Sequence, residues 1–345
     1  MRCWKKTSAV SPPRESKTMI DVVESYEVKP RVDIGAIVLD DAVKSCDPDG
    51  VLDAGEGGHL TITVHNGGTA PLAGTTVRVS STEPRLRFPG GATVAVPAVA
   101  PFQSATVQIE VALDPAFGTK MGGLPIVVRV EDASTCEGGV TREVLFRVNF
   151  DDLPGASSTD DAESDHPAWT PTGLLGLKAW ERDTVAALQH AWHGADLGEI
   201  SDTQLESPAL RITSDPFIVR LDHRYAFEVG VDNTGAKFFD GAVIEIQIDG
   251  GDWEDVSAYT AVPYGGPIGA GSDNPLADRV AFVGNSPNWP DMEPLVLDFG
   301  TAFAGRIAKL RFRIGSDAAA GEEGWFLDHL AFTGIEGKPF GALVG

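Results

Sequence analysis

The chain has 345 residues, enough for two or three domains with cores of their own. Its 50 acidic residues against 27 basic ones leave a formal net charge of −23 at pH 7. That sign argues against nucleic acid or an anionic membrane as the main partner, and it suits a secreted protein that meets divalent cations.

Residues 1–30 read as a disordered tail. Met1–Lys17 is basic and polar, with Pro12 and Pro13, and has no apolar core of an export signal. No later run is apolar enough for a membrane-spanning helix, so membrane insertion is not expected. Secreted character without an export address is reconciled if the chain is a piece of a larger precursor, or if a start codon was assigned inside the gene.

Residues 31–150 alternate apolar and polar positions in short runs. Examples are Leu60, Ile62 and Val64, then Val107, Ile109, Val111 and Leu113, then Ile126, Val128 and Val130, then Val144, Phe146, Val148 and Phe150. Period two broken by Gly and Pro predicts an antiparallel sandwich, and the strand spacing fits an immunoglobulin-like topology. Asn66-Gly67-Gly68 and Pro89-Gly90-Gly91 supply turns.

Early in this domain lies the most informative segment, Ser45 to Glu56. Asp47, Asp49 and Asp53 alternate around Gly50, and Glu56 closes the run. Carboxylates at alternate positions of a tightly turned backbone converge on one hard cation. The glycine allows the turn, and a final glutamate can give two oxygens. The expected calcium ligands are Asp47, Asp49, the Val51 carbonyl, Asp53 and Glu56. Ser45 stands at the first ligand position, where aspartate is usual, which weakens the site or moves that ligand to Asp40 or Asp41. Ile34–Leu39 and Leu60–Val64 read as strands, so the loop sits on a β-domain and not between helices. The competing reading is an acidic turn with Asp-Gly chemistry.

The chain has three cysteines. Cys46 and Cys136 lie at opposite ends of the first domain's sequence. A disulfide between them would stabilise by about 4–5 kcal/mol through loop closure. Two unpaired thiols are the alternative, and an extracellular setting favours the disulfide. Cys3 is left over in the tail.

Residues 151–168 are acidic and small, the composition of a linker. A second domain is expected over 169–336, followed by a tail over 337–345. Leu174–Trp192 admits two readings: an amphipathic helix with Leu177, Trp180, Leu188 and Trp192 on one face, or an irregular tryptophan-pinned approach to a sheet. Strand runs follow at 217–221, 225–231, 243–248, 280–283, 295–299, 309–314 and 325–332. With long loops between them, they suit a jelly-roll sandwich. Asp232, Asp240 and Asp328 are candidates for a second metal, or for turn and strand caps. Trp253, Tyr259, Tyr264 and Trp289 in loops are candidates for a sugar- or peptide-binding platform, or for loop anchors. His190-Ala-Trp-His193 would share a helical face as a metal pair, but no third ligand is evident. No zinc-peptidase helix, serine elbow or phosphate loop occurs in the sequence, and no catalytic residue is assigned.

Cys46-Asp-Pro-Asp-Gly-Val-Leu-Asp-Ala-Gly-Glu56, leading into a strand that ends at Asn66-Gly67, resembles the immunoglobulin-like modules of large secreted bacterial peptidases. The second domain resembles the jelly-roll modules at the C-terminal ends of fungalysin-type and immune-inhibitor-type metallopeptidases. The matching segments are Asp202–Pro208, His223–Glu228, Phe239–Ile246, Asp249–Trp253, Leu310–Asp317 and Gly324–Gly334. Ala242 departs where a second glycine is common. His329 departs where a second acid is common, which puts a calcium ligand there in doubt. The likeness spans 31–336 and includes no peptidase domain.

The resemblance implies a non-catalytic, calcium-stabilised accessory region of a secreted metallopeptidase. Its job would be to bind substrate or a surface, or to dock on a catalytic domain. The alternative is a stand-alone extracellular adhesin or carbohydrate-binding protein. The expected fold is all-β, an immunoglobulin-like sandwich followed by a jelly-roll sandwich. The expected partners are a peptidase catalytic domain, or an extracellular protein or polysaccharide.

Overall fold

The computed structural model describes residues 28–175, 180–232, 235–269 and 272–345. The tail assigned to 1–30 lies outside these residues except for its last three, and so does Cys3. The chain divides into two compact units, 1–150 with Gly345, and 151–344. Both are β-structures, and among the described residues the helical content is two short 3-10 turns, Pro115–Phe117 and Ser257–Tyr259.

The first unit runs β1 (Val32–Leu39), β2 (Gly57–Asn66), β3 (Thr76–Ser80), β4 (Leu86–Arg87), β5 (Thr93–Ala95), β6 (Ser104–Leu113), β7 (Gly122–Glu131) and β8 (Gly139–Val148). One sheet has the order β1-β2-β6-β4 and the other β5-β3-β7-β8. This is the immunoglobulin arrangement, with one sheet extended by an extra edge strand. The alternating runs supply the core. Leu60, Ile62 and Val64 of β2 face Leu124, Ile126, Val128 and Val130 of β7, and all are fully buried. Each such side chain contributes about 1.5–3 kcal/mol by leaving water.

The Cys46–Cys136 disulfide is not formed. Cys46 is free and exposed, and Cys136 is engaged elsewhere. The topology gives the reason. Cys46 lies in the β1–β2 loop, at the end of the sandwich where β7 starts, and Cys136 lies in the β7–β8 turn at the other end. The ten residues of β7 separate them, about 30 Å at the usual strand rise. A disulfide requires Cα atoms within about 7 Å.

The second unit begins with β9 (Asp151–Ser157), β10 (Thr159–Asp160), β11 (Thr170–Leu175), β12 (Trp180–Ala186), β13 (Gln189–Gly194), β14 (Ser201–Glu206) and β15 (Leu210–Ile212). It continues through β16 (Phe217–Ala226), β17 (Val229–Asp232), β18 (Gly235–Phe238), β19 (Gly241–Ile248), β20 (Trp253–Asp255), β21 (Gly266–Pro267) and β22 (Val280–Ala281). It closes with β23 (Glu293–Gly300), β24 (Ile307–Ser316), β25 (Gly324–Thr333), β26 (Ile335–Glu336) and β27 (Phe340–Val344). One large sheet has the order β12-β13-β25-β16-β23, and the other centres on β24 between β14 and β19. The core between them is aromatic. Trp325 packs on Phe312 at 5.4 Å, Phe282 at 5.6 Å and Trp180 at 6.1 Å between ring centroids.

Two sequence expectations fail here, and one of two open readings is excluded. Residues 151–168 are not a linker, because β9 pairs with β27 and β10 pairs with β25. One of its acids, Asp160, is part of the core: its buried carboxylate accepts Trp169 Nε1 at 2.6 Å and Trp192 Nε1 at 2.9 Å. The tail assigned to 337–345 contains β27, whose Phe340 is buried against Trp169 and Phe332. Between 174 and 192 the described residues form the end of β11 and a β12–β13 hairpin, not a helix. On a strand, residues three apart face opposite ways. His190 therefore meets Glu163 Oε2 at 2.9 Å, and His193 donates from Nε2 to the Glu323 carbonyl at 2.7 Å, with Asp183 3.5 Å from its Nδ1.

Candidate metal centre

The Ser45–Glu56 loop crosses the end of the first sandwich between β1 and β2. Leu52, fully buried, anchors it in a parallel bridge to Val148. Gly55 N–H donates to the Leu113 carbonyl at 2.8 Å, and Ala54 N–H donates to Asn149 Oδ1 at 2.8 Å. Gly50 and Gly55 hold φ of 90° and 98°, values that side-chain-bearing residues rarely adopt. These anchors fix the backbone of the loop, while Asp47 and Asp49 stay exposed at its surface.

Asp41, Asp47 and Asp49 converge, each offering a carboxylate oxygen within 4.8 Å of the others. Asp41 is only 4% exposed, and its Oδ2 is buried with no hydrogen-bond partner. Of the two acids that could stand in for Ser45, Asp41 is the one that joins Asp47 and Asp49, and Asp40 is spent otherwise. Asp40 Oδ1 accepts Ala42 N–H at 3.0 Å and His59 N–H at 2.8 Å.

Asp53 borders the same cluster. Its Oδ1 is buried and unpartnered. Burial, then the charges of Glu56, Asp47 and Asp49, push its carboxyl up to about 6. Glu56 has a different place from the one expected. Its carboxylate accepts the N–H groups of Cys46 and, at 2.9 Å, Asp53, so both oxygens brace the loop backbone. Val51 gives its N–H to Asp49 Oδ1 at 2.8 Å. The donor set is thus all oxygen, the chemistry of a hard cation such as calcium. Asp41, Asp47 and Asp49 would hold it, with Asp53 beside them.

The second trio is not brought together. Asp328, on β25, pairs across the strand with Asp222 of β16 and has His329 3.6 Å away. Asp240 lies just before β19, in the other sheet. Asp232 ends β17, in a two-stranded ribbon with β18. Asp240 instead meets Glu228 and Asp317, neither of which carries a local sequence signal.

The loop aromatics do not assemble a platform either. Tyr264 is buried, and its hydroxyl accepts Ile244 N–H at 3.1 Å. Tyr259 packs on Phe299 at 4.8 Å. The guanidinium of Arg311 covers Trp253 at 4.3 Å, and that of Arg224 lies 5.3 Å from the Trp289 ring. These residues pin loops and cover charges.

No family model matches the sequence, and no curated protein matches it. Several solved structures are similar at low identity. One is TmCBM61 in complex with β-1,4-galactotriose, with 12% identity over 48% of this chain and 87% of that one, at a TM-score of 0.28. Another is the secreted serine protease VesC from Vibrio cholerae, with 13% identity over 82% of this chain and 48% of that one, at 0.22. A third is the C-terminal domain of the Streptococcus agalactiae polypeptide BspA, with 11% identity over 88% of this chain and all of that one, at 0.20. At such scores these likenesses assign no activity or ligand to this chain.

Proposed function

We propose that this chain is a non-catalytic extracellular binding protein whose immunoglobulin-like unit is stabilised by calcium in the β1–β2 loop. The observation that carries this reading is the convergence of Asp41, Asp47 and Asp49 around a buried, unpartnered Asp41 oxygen. Like charges held this close destabilise a fold unless a cation offsets them. Calcium that binds only the folded state adds about 2.7 kcal/mol at a hundred times its Kd.

The test is calorimetric melting with calcium and with excess chelator. All the described tryptophans belong to the second unit. In a Trp4→Phe background, a transition silent in tryptophan emission therefore reports the first. That transition should rise by about 5–10 °C with calcium. The rise should vanish in the Asp47→Asn, Asp53→Asn double variant. A rise that survives the double variant, or no rise in the wild type, rejects the loop as the metal centre.

Within this reading, the quoted segments favour an accessory region of a secreted metallopeptidase. Binding to a purified metallopeptidase catalytic domain supports that role. Binding to a polysaccharide with none to the catalytic domain assigns the chain to the stand-alone adhesins or carbohydrate binders.

A further inference from the structure

A second group of acids gathers at one end of the second sandwich. Four strand ends deliver them: Asp196 follows β13, Glu228 follows β16, Asp240 precedes β19 and Asp317 follows β24. Glu228, Asp240 and Asp317 each offer a carboxylate oxygen within 4.8 Å of the other two. Asp240 is 0% exposed. Its Oδ1 accepts Asp317 N–H at 2.6 Å and Asn274 Nδ2 at 3.3 Å, while its Oδ2 is buried with no partner. Glu228 Oε2 is likewise buried and unpartnered.

Asp196 stands beside this trio. It accepts Ser316 Oγ at 2.7 Å and Glu322 N–H at 3.1 Å, which ties the strand end carrying Asp317 to the β24–β25 loop. Burial, and then the neighbouring charge of Asp196, raise the Asp240 carboxyl well above the usual range. Two orphaned carboxylate oxygens in a ring of acids are costly unless something completes them. A water has no reason to gather four acids. A cation does.

We propose that Glu228, Asp240 and Asp317 bind a divalent cation, with Asp196 as the positioning residue. The donors are all carboxylate oxygens, which select calcium over softer metals. A cavity of about 400 Å³ lined by Lys237, Phe239, Ser272, Asp273, Asp317 and Ala318 reaches the trio at Asp317. The site lies wholly in the second unit and does not rest on the loop of the first.

The experiment is titration calorimetry of the full chain with calcium chloride. The wild type should take up two equivalents. The Asp47→Asn, Asp53→Asn double variant should keep one. Adding Asp317→Asn, or separately Glu228→Gln, should weaken that remaining site about tenfold or more. These two acids are changed because Asp240 is more deeply buried, and unaltered tryptophan emission certifies that the second unit is folded. The proposal is overturned if the folded loop variant takes up no calcium, or if its remaining site ignores both Asp317→Asn and Glu228→Gln. A single equivalent in the wild type that is lost with Asp317→Asn supports this site and sinks the loop instead.

Discussion

Replacing Glu245 by alanine should unsettle the second unit more than any surface change. Glu245 projects from β19 on the face of its sheet away from the aromatic core, yet its side chain is only 5% exposed. It accepts Arg279 Nη1 at 2.6 Å and Arg311 Nε at 2.6 Å, and Arg313 Nη1 lies 3.6 Å away. Burial alone would raise its carboxyl, but hydrogen bonds from Arg279 and Arg311 hold it below the usual range. Without Glu245, Arg279 still has Asp255 at 2.7 Å and Arg313 still has Asp202 at 2.7 Å. Arg311 keeps only neutral company, Gln204 Oε1 at 2.9 Å and the Trp253 ring. A buried charge stripped of its partner costs about 3–5 kcal/mol. In a unit of this size that corresponds to about 6–20 °C in melting temperature.

The assay is urea unfolding followed by tryptophan emission. Two controls sharpen it. Glu336→Ala breaks an ion pair with Arg211 that is exposed on both sides, and should be close to silent. The double change Glu245→Leu, Arg311→Met removes both charges, and should recover much of the loss. If Glu245→Ala were as silent as Glu336→Ala, the network would be decoration and the reasoning wrong.

Asp160→Leu leaves the indole N–H groups of Trp169 and Trp192 without an acceptor. It should cost about 2–4 kcal/mol, with Asp160→Asn in between because one acceptor oxygen remains. An unaltered urea midpoint in Asp160→Leu would show that the indoles find other partners. His223 supplies a pH test. Burial depresses its imidazole from 6.5 to about 4, and its Nδ1 accepts Trp325 Nε1 at 3.3 Å. The folded ring stays neutral while the unfolded ring takes up a proton below 6.5, so stability falls as the pH drops from 6.5 towards 4. The loss between pH 7 and pH 5 is about 2 kcal/mol. His223→Gln should remove that share of the acid sensitivity, and equal losses in variant and wild type would refute it.

The strands were legible wherever one side of the chain alternates against a single core. Leu60, Ile62 and Val64, or Leu310, Phe312 and Ile314, announce both the strand and its inward face. What escaped depends on partners distant in the chain. Asp160 looks like solvated linker until Trp192, 32 residues on, supplies its hydrogen bond. The spacing of Trp180 and Trp192 imitates a helix, although hairpin pairing sets their geometry. The meeting of Asp47 with Asp49 was readable because these acids are local, whereas the choice of Asp41 over Asp40 as their neighbour depends on the fold. The bracing role of Glu56 was not readable, since it depends on how the loop curls around its own N–H groups. Among the acids of the second cluster, only Asp240 drew notice, because strand ends and not a contiguous motif assemble it.

The pairing of β9 with β27 has a mechanical consequence. Asp151 lies opposite Val344, so the first and last residues of the second unit are neighbours across one antiparallel ladder. Tension applied at those two points acts along the hydrogen bonds, which run perpendicular to the strands. The load then falls on one rung at a time, and the ladder unzips instead of shearing. Under pull, Phe340 would leave its place against Trp169 before either large sheet carries force.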